Sequence, residues 1–87
     1  MQEVRFRRRR EARWRRLAEA VERARRGTIA EQELPDLMRM YRHTAADLAW
    51  ARANGSEGLQ RMLNALVLSA HEVVHHAPEG TWRRLWR

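Results

Sequence analysis

The 87-residue chain contains no cysteine, two prolines, four glycines and, among its 18 basic residues, no lysine. Without cysteine there is no disulfide framework, no thiolate metal site and no cysteine nucleophile. Even the longest strictly apolar runs are short, as at Ala65 to Leu68, whereas a membrane-spanning helix needs about 20 predominantly apolar residues. No segment here is expected to span a bilayer. The basic residues from Arg5 to Arg16 lack a following apolar segment and small-residue cleavage site, so they do not read as a secretory signal. There is no glycine-rich phosphate loop, activated nucleophile or convincing acid pair, so the chain is read as non-enzymatic and without a cofactor.

What is abundant is arginine, and its position matters more than its number. Met1 to Arg26 holds eleven arginines against four glutamates, whereas the rest holds seven arginines against seven acids, so the net charge of +7 resides in the first segment. That segment, Glu3 to Arg26, also carries Phe6, Trp14, Leu17, Ala18, Val21 and Ala24 at helical spacing, and Gly27 supplies a residue that commonly ends helices. Thr28 and Glu31 have the spacing of a capping box, but Pro35 follows too closely for a helix to run through. A short turn from Ile29 to Leu34 and a second helix from Pro35 to Asn54 are therefore predicted, with proline in its tolerated first position. Gly55 closes that helix. Ser56 is a plausible N-cap for a third helix from Glu57 to His76, ended by Pro78. Thr81 caps the start of a fourth.

The predicted fold is all-α, a small antiparallel bundle of three long helices with the start of a fourth. The division is a helical domain over 1–80 and an interfacial or pre-membrane helix beginning at 81–87. Leu34, Leu37, Tyr41, Ala45, Leu48 and Arg52 form the stripe of the second helix; Leu59, Met62, Leu63, Leu66, Ala70, Val73 and Val74 form that of the third. So small a chain leaves part of these faces uncovered, which makes a homodimer the alternative arrangement.

Polar residues interrupt these stripes. Arg42, Asp47, Arg52, Asn64 and His71 are expected to form an inter-helix cluster whose members satisfy one another rather than line a pocket, since an unpartnered buried polar group costs roughly 1 to 3 kcal/mol. At the same positions the chain resembles the amino-terminal region of the stage II sporulation protein M family. The likeness lies in Tyr41, Arg42, Ala46, Asp47, Leu48, Ala49, Ala51 and Arg52, then in Leu63, Asn64, Leu66, Val67, Ala70 and His71. An arginine-rich first helix with a tryptophan, Arg8 to Trp14, is similar too. The resemblance implies a soluble helical segment ahead of several hydrophobic spans, in an integral membrane protein associated with envelope remodelling during engulfment or in a relative from bacteria that do not sporulate. Those spans do not appear before Arg87.

His71, Glu72, Val73, Val74 and His75 match the zinc-protease helix motif, in which two histidines four apart share a metal and the glutamate activates its water. The continuation fails, because Pro78 and Thr81 stand where a glycine and a third histidine belong. A zinc peptidase is thus a remote alternative, and adventitious metal binding by His71, His75 and His76 is the more economical one.

The arginines at Arg5, Arg7, Arg8, Arg9, Arg10, Arg13, Arg15 and Arg16 have three readings: nucleic-acid phosphates, an anionic membrane surface, or a merely solvated face. No recognition motif for specific nucleic acid accompanies them. At the far end Trp82 and Trp86 alternate with Arg83, Arg84 and Arg87 as in an interfacial segment, which favours the membrane. The sequence is read as a membrane-proximal interaction or scaffolding domain on the cytoplasmic face of a bacterial membrane. Its expected partners are anionic lipid, other membrane or envelope proteins, and a second copy. The rival class is a free-standing basic protein that binds nucleic acid.

Overall fold

A computed structural model of the chain describes residues 2–76, and every regular element among them is helical. Helix α1 runs Gln2–Arg25, a 3-10 turn covers Glu31–Glu33, α2 runs Leu34–Asn54 and α3 runs Glu57–His76. Each boundary read from periodicity lies within one residue of its helix. The fourth helix expected from Thr81 lies outside the described residues.

The end of α1 is built by backbone chemistry. Gly27 adopts a φ of 75°, a left-handed conformation that costs glycine nothing. It lets the Gly27 amide donate to the Ala24 carbonyl at 3.1 Å and the Thr28 amide donate to the Arg23 carbonyl at 2.8 Å. This pair of bonds is the Schellman closure. Thr28 does not cap the next helix as its spacing with Glu31 suggests; its hydroxyl donates to the Arg23 carbonyl at 3.2 Å instead. Pro35 sits in the first turn of α2, where the missing amide donor is not needed.

At the other end of the molecule, α2 and α3 turn sharply through Gly55 and Ser56. Gly55 has an extended backbone, so its requirement is space rather than φ. A Cβ there would come within 3.0 Å of the Ala51 carbonyl oxygen and 3.1 Å of the Leu59 side chain. Ser56 caps α3 as expected, its hydroxyl accepting the Leu59 amide at 3.2 Å. The capping serine is itself held from α1. Its amide and its hydroxyl donate to the two oxygens of Glu3 at 2.7 and 2.9 Å.

All three helices touch one another. Leu17, Ala20, Val21, Leu34, Leu37, Met38, Met40, Ala70 and Val74 form one buried cluster, and Phe6, Trp14, Leu48, Ala51, Leu59 and Leu63 form another; half-buried Leu66 packs against both. The single stripe predicted for α2 is too narrow. Tyr41 and Ala45 are half-buried and Arg52 is exposed, while Met40, Thr44, Asp47 and Ala51 make a second buried row. The reason is geometric: α2 packs on both neighbours, and a helix with two neighbours buries a wider arc than one with a single contact face. On α1, Ala20 is buried where the exposed Ala18 was expected, and Met62 on α3 keeps 38% of its surface exposed.

The Ser56 bonds hold the Glu3 carboxyl below its ordinary value of about 4.5, chiefly through the Ser56 amide and next through its hydroxyl. A carboxylate whose pKa falls on folding contributes stability that is complete above its unfolded pKa and disappears as pH falls through the folded one. Glu3→Gln should therefore melt below the parent protein at pH 7, and the gap should close as the pH is taken below about 4.5. Thermal melts of both proteins across that range check it; a gap independent of pH would show that charge on Glu3 is not what holds Ser56.

Candidate functional site

Asp47 lies in the middle of α2 with 5% of its surface exposed. Three donors from α1 converge on it. Arg10 Nε donates to Oδ1 at 3.0 Å, Arg13 Nη2 donates to Oδ2 at 2.6 Å, and the Trp14 indole N–H donates to Oδ2 at 2.8 Å. On a helix these three positions are neighbours, because residues three and four apart share a face. Phe6, Arg10, Arg13, Trp14 and Leu17 thus lie on one inward arc, and two arginines on that arc demand a buried acid. Asp47 is the one charged residue buried among those described.

An aromatic shelf adjoins this node. The Phe6 ring stacks on Trp50 with centroids 3.9 Å apart and planes 10° from parallel, and the Arg10 guanidinium lies 4.2 Å from the Phe6 ring centre. Arg10 is therefore fixed twice, by its carboxylate and by a cation–π contact. Beside it an open cleft of about 350 Å³ is lined by Gln2, Arg5, Phe6, Arg9, Arg10 and Trp50. A second, more apolar groove of about 360 Å³ is lined by Glu11, Trp14, Arg15, Ala18, Met62 and Leu66.

The arginines of α1 divide by face. Arg7 donates to Glu3 at 3.3 Å, Arg10 and Arg13 belong to Asp47, and near the helix end Arg23 pairs with Glu33 while Arg25 and Arg26 pair with Glu22. Arg5, Arg8, Arg9, Arg15 and Arg16 are exposed and make no ion pair among the described residues. Treating all eight early arginines as one contact surface is thus corrected. Arg10 and Arg13 point inward because their helical phase matches that of Phe6, Trp14 and Leu17. The expected contacts Trp82, Arg83, Arg84, Trp86 and Arg87 lie outside the described residues.

The polar cluster expected between α2 and α3 does not assemble as one group. Asp47 turns to α1, Arg42, Arg52 and Asn64 are exposed, and exposed His71 places Nδ1 3.1 Å from the Tyr41 hydroxyl. The cause is the second buried row of α2, which aims Asp47 at α1 rather than at α3. His71 and His75 have ring centroids 4.1 Å apart, and no three His, Asp or Glu side chains among the described residues are grouped to hold a metal ion. No described helix is long and apolar enough to cross a membrane.

Comparison with known families adds one match: residues 4–76 fit the model of a family described as Domain of unknown function (DUF8413). The chain belongs to this family. The matched segment takes in α2 and α3 whole and nearly all of α1, so the Asp47 node, the aromatic shelf and the arginine face all fall inside the DUF8413 domain. No curated protein and no solved structure matches the chain.

Losing Asp47 should cost far more than losing either arginine. Asp47→Asn strands two guanidinium groups and weakens the indole bond, a loss of about 2 to 4 kcal/mol. Arg10→Met leaves Asp47 with Arg13 and Trp14 and should cost about 1 kcal/mol. Urea denaturation of the two variants measures the difference, and equal losses would show that the carboxylate is not the hub. Thr44, one turn before Asp47, is fully buried with a hydroxyl that finds no hydrogen-bond partner among the described residues. Thr44→Val should consequently stabilise the fold by roughly 1 kcal/mol, and a lower urea midpoint for that variant would contradict this.

Proposed function

We propose that this DUF8413 chain is a non-enzymatic interaction domain that presents the outer face of α1 to an anionic membrane surface. The observation that carries the reading is the partition of charge on α1. Five arginines, Arg5, Arg8, Arg9, Arg15 and Arg16, are exposed and make no ion pair among the described residues, while the others of the first segment are matched to acids. The macrodipole opposes cations in the first turn, where Arg5 lies, and favours them only in the last, where none of the five lies, so dipole stabilisation does not account for them. An anionic surface does.

The mode of attachment follows from what the core consumes. An interfacial amphipathic helix buries its apolar face in lipid, but Phe6, Trp14, Leu17 and Val21 of α1 are already buried against α2 and α3. Attachment is therefore electrostatic and peripheral. Arginine beside a membrane favours the cytoplasmic side, which supports reading that face as the one the domain occupies. In a longer protein of the sporulation protein M type the same surface would sit beside the membrane spans and leave the opposite side free for envelope partners.

The arrangement that suits this role is an antiparallel up-and-down bundle. It is supported by contacts between the start of α1 and the end of α2 through Phe6 and Trp50, and between the end of α1 and the turn before α2 through Arg23 and Glu33. A second copy is the alternative partner, favoured by the groove around Trp14, Ala18, Met62 and Leu66; a molecular mass independent of concentration in sedimentation equilibrium would remove it.

Vesicle sedimentation tests the membrane reading. Binding to phosphatidylglycerol-containing vesicles should exceed binding to neutral phosphatidylcholine and weaken with salt, as screened charges do. Arg8→Gln/Arg15→Gln/Arg16→Gln should lower it by about a hundredfold, at roughly 1 kcal/mol per arginine near the surface. Equal affinity for neutral lipid, or no vesicle binding beside a salt-sensitive shift on duplex DNA, would overturn the membrane in favour of nucleic acid.

A further inference from the structure

We infer that the cleft between the first turns of α1 and the end of α2 is a specific site for a phosphate monoester group, held by Arg5, Arg9 and Arg10 against the Trp50 indole. The inference deepens the reading of α1 as an anion-facing surface, on which it rests. It differs from that reading by naming one open cleft in place of a diffuse charge.

Three observations converge on the cleft. The first is preorganisation. Arg10 spends only Nε on Asp47 and lies over the Phe6 ring, so its two terminal nitrogens are held in place and uncommitted among the described residues. A guanidinium already immobilised loses little further side-chain freedom on binding an anion, which is where much of the cost of recognition usually falls. The second is charge. Asp47 neutralises one of the two arginines it holds, leaving an excess positive charge at the node, and Arg5 and Arg9 on the cleft wall have no acidic partner among the described residues. Three guanidinium groups beside the positive end of the α1 dipole match a dianion better than a monoanionic carboxylate. The third is shape. The cleft holds about 350 Å³ and Trp50 forms one wall, near the lower limit of small-molecule pockets. That leaves room for a phosphate bearing a short organic group that packs on the indole. Gln2, also on the wall, offers an amide able to donate or accept beside the anion.

The ligand chemistry is shared by a lipid headgroup ending in a phosphate monoester and by a small soluble phosphate ester, and the test separates them. Inorganic phosphate is titrated into the 15N-labelled full chain at constant ionic strength, with the Arg10 Nε–H and Trp50 indole resonances as readout. Saturable shifts of both are expected. Arg5→Gln/Arg9→Gln should weaken this binding about tenfold or more, while Arg15→Gln/Arg16→Gln, on the same helix but outside the cleft, should leave it within about twofold. Absence of saturation, or equal weakening by the two double variants, overturns the pocket. The broader surface reading is judged separately, because both doubles should reduce binding to phosphatidylglycerol vesicles, and if neither does, that reading fails by itself. Preference for vesicles carrying phosphatidate over phosphatidylglycerol at matched surface charge assigns the site to lipid. Saturation by phosphate without that preference assigns it to a soluble ester.

Discussion

One buried carboxylate sets how α1 lies on the rest of the molecule. Asp47 accepts from Arg10, Arg13 and Trp14 at once, and such a node acts on register more than on stability, since ion pairs removed from water give back much of their attraction as desolvation. Sliding α1 by one turn in one direction would bring Leu17 and Ala18 opposite Asp47, leaving the carboxylate without a cation. Sliding it the other way would offer Arg9 and Arg10 but withdraw the indole donor and set Phe6 against the acid. The observed register alone supplies two guanidinium groups and the indole. From it follow the stacking of Phe6 on Trp50 and the reach of Glu3 to the Ser56 cap.

The same constraint gives one residue type two occupations on one helix. Arg10 and Arg13 fall in phase with Phe6, Trp14 and Leu17 and are drawn inward, while Arg5, Arg8, Arg9, Arg15 and Arg16 fall out of phase and face water. The net charge of +7 is therefore not a diffuse property of the chain. Five of the arginines behind it, Arg5, Arg8, Arg9, Arg15 and Arg16, lie on one flank of α1, offset in part by the exposed Glu11 and Glu19 of the same helix, and a polyanion meeting the molecule is drawn toward that flank.

Helix positions and caps were legible because they depend on local chemistry. Gly27 must reach a positive φ, Pro35 must occupy a first turn, and Ser56 must offer an oxygen to an orphan amide, whatever the tertiary contacts are. The partner of Asp47 was less accessible. Reading α2 as one stripe through Tyr41, Ala45 and Arg52 treats the helix as having a single neighbour, and Asp47 then stands at the edge, facing Asn64 and His71. The signal that would have corrected this lies on α1, where Arg10 and Arg13 interrupt an otherwise apolar arc. Two inward arginines need a buried acid from another helix, and Asp36, Asp47 and Glu57 are the acids carried by α2 and the start of α3. Only Asp47 lies mid-helix.

The apolar side of α1 is spent within the fold, and this limits the ways in which the basic side can act. A helix free to expose Phe6, Trp14 and Leu17 would combine charge with insertion and bind lipid through both. Here insertion would require pulling α1 from α2, losing the burial of those side chains and returning three donors of the Asp47 node to water. On the proposed reading, contact with an anionic partner would proceed with the helix in place, through guanidinium groups that are either free to search, such as Arg8 and Arg15, or already held, as Arg10 is. Free arginines give long-range attraction that salt erodes. A held arginine gives geometry, and under the phosphate-site proposal discrimination between one anion and another would begin at Arg10, because the interior of the fold fixes the angle of its guanidinium through Asp47 and Phe6.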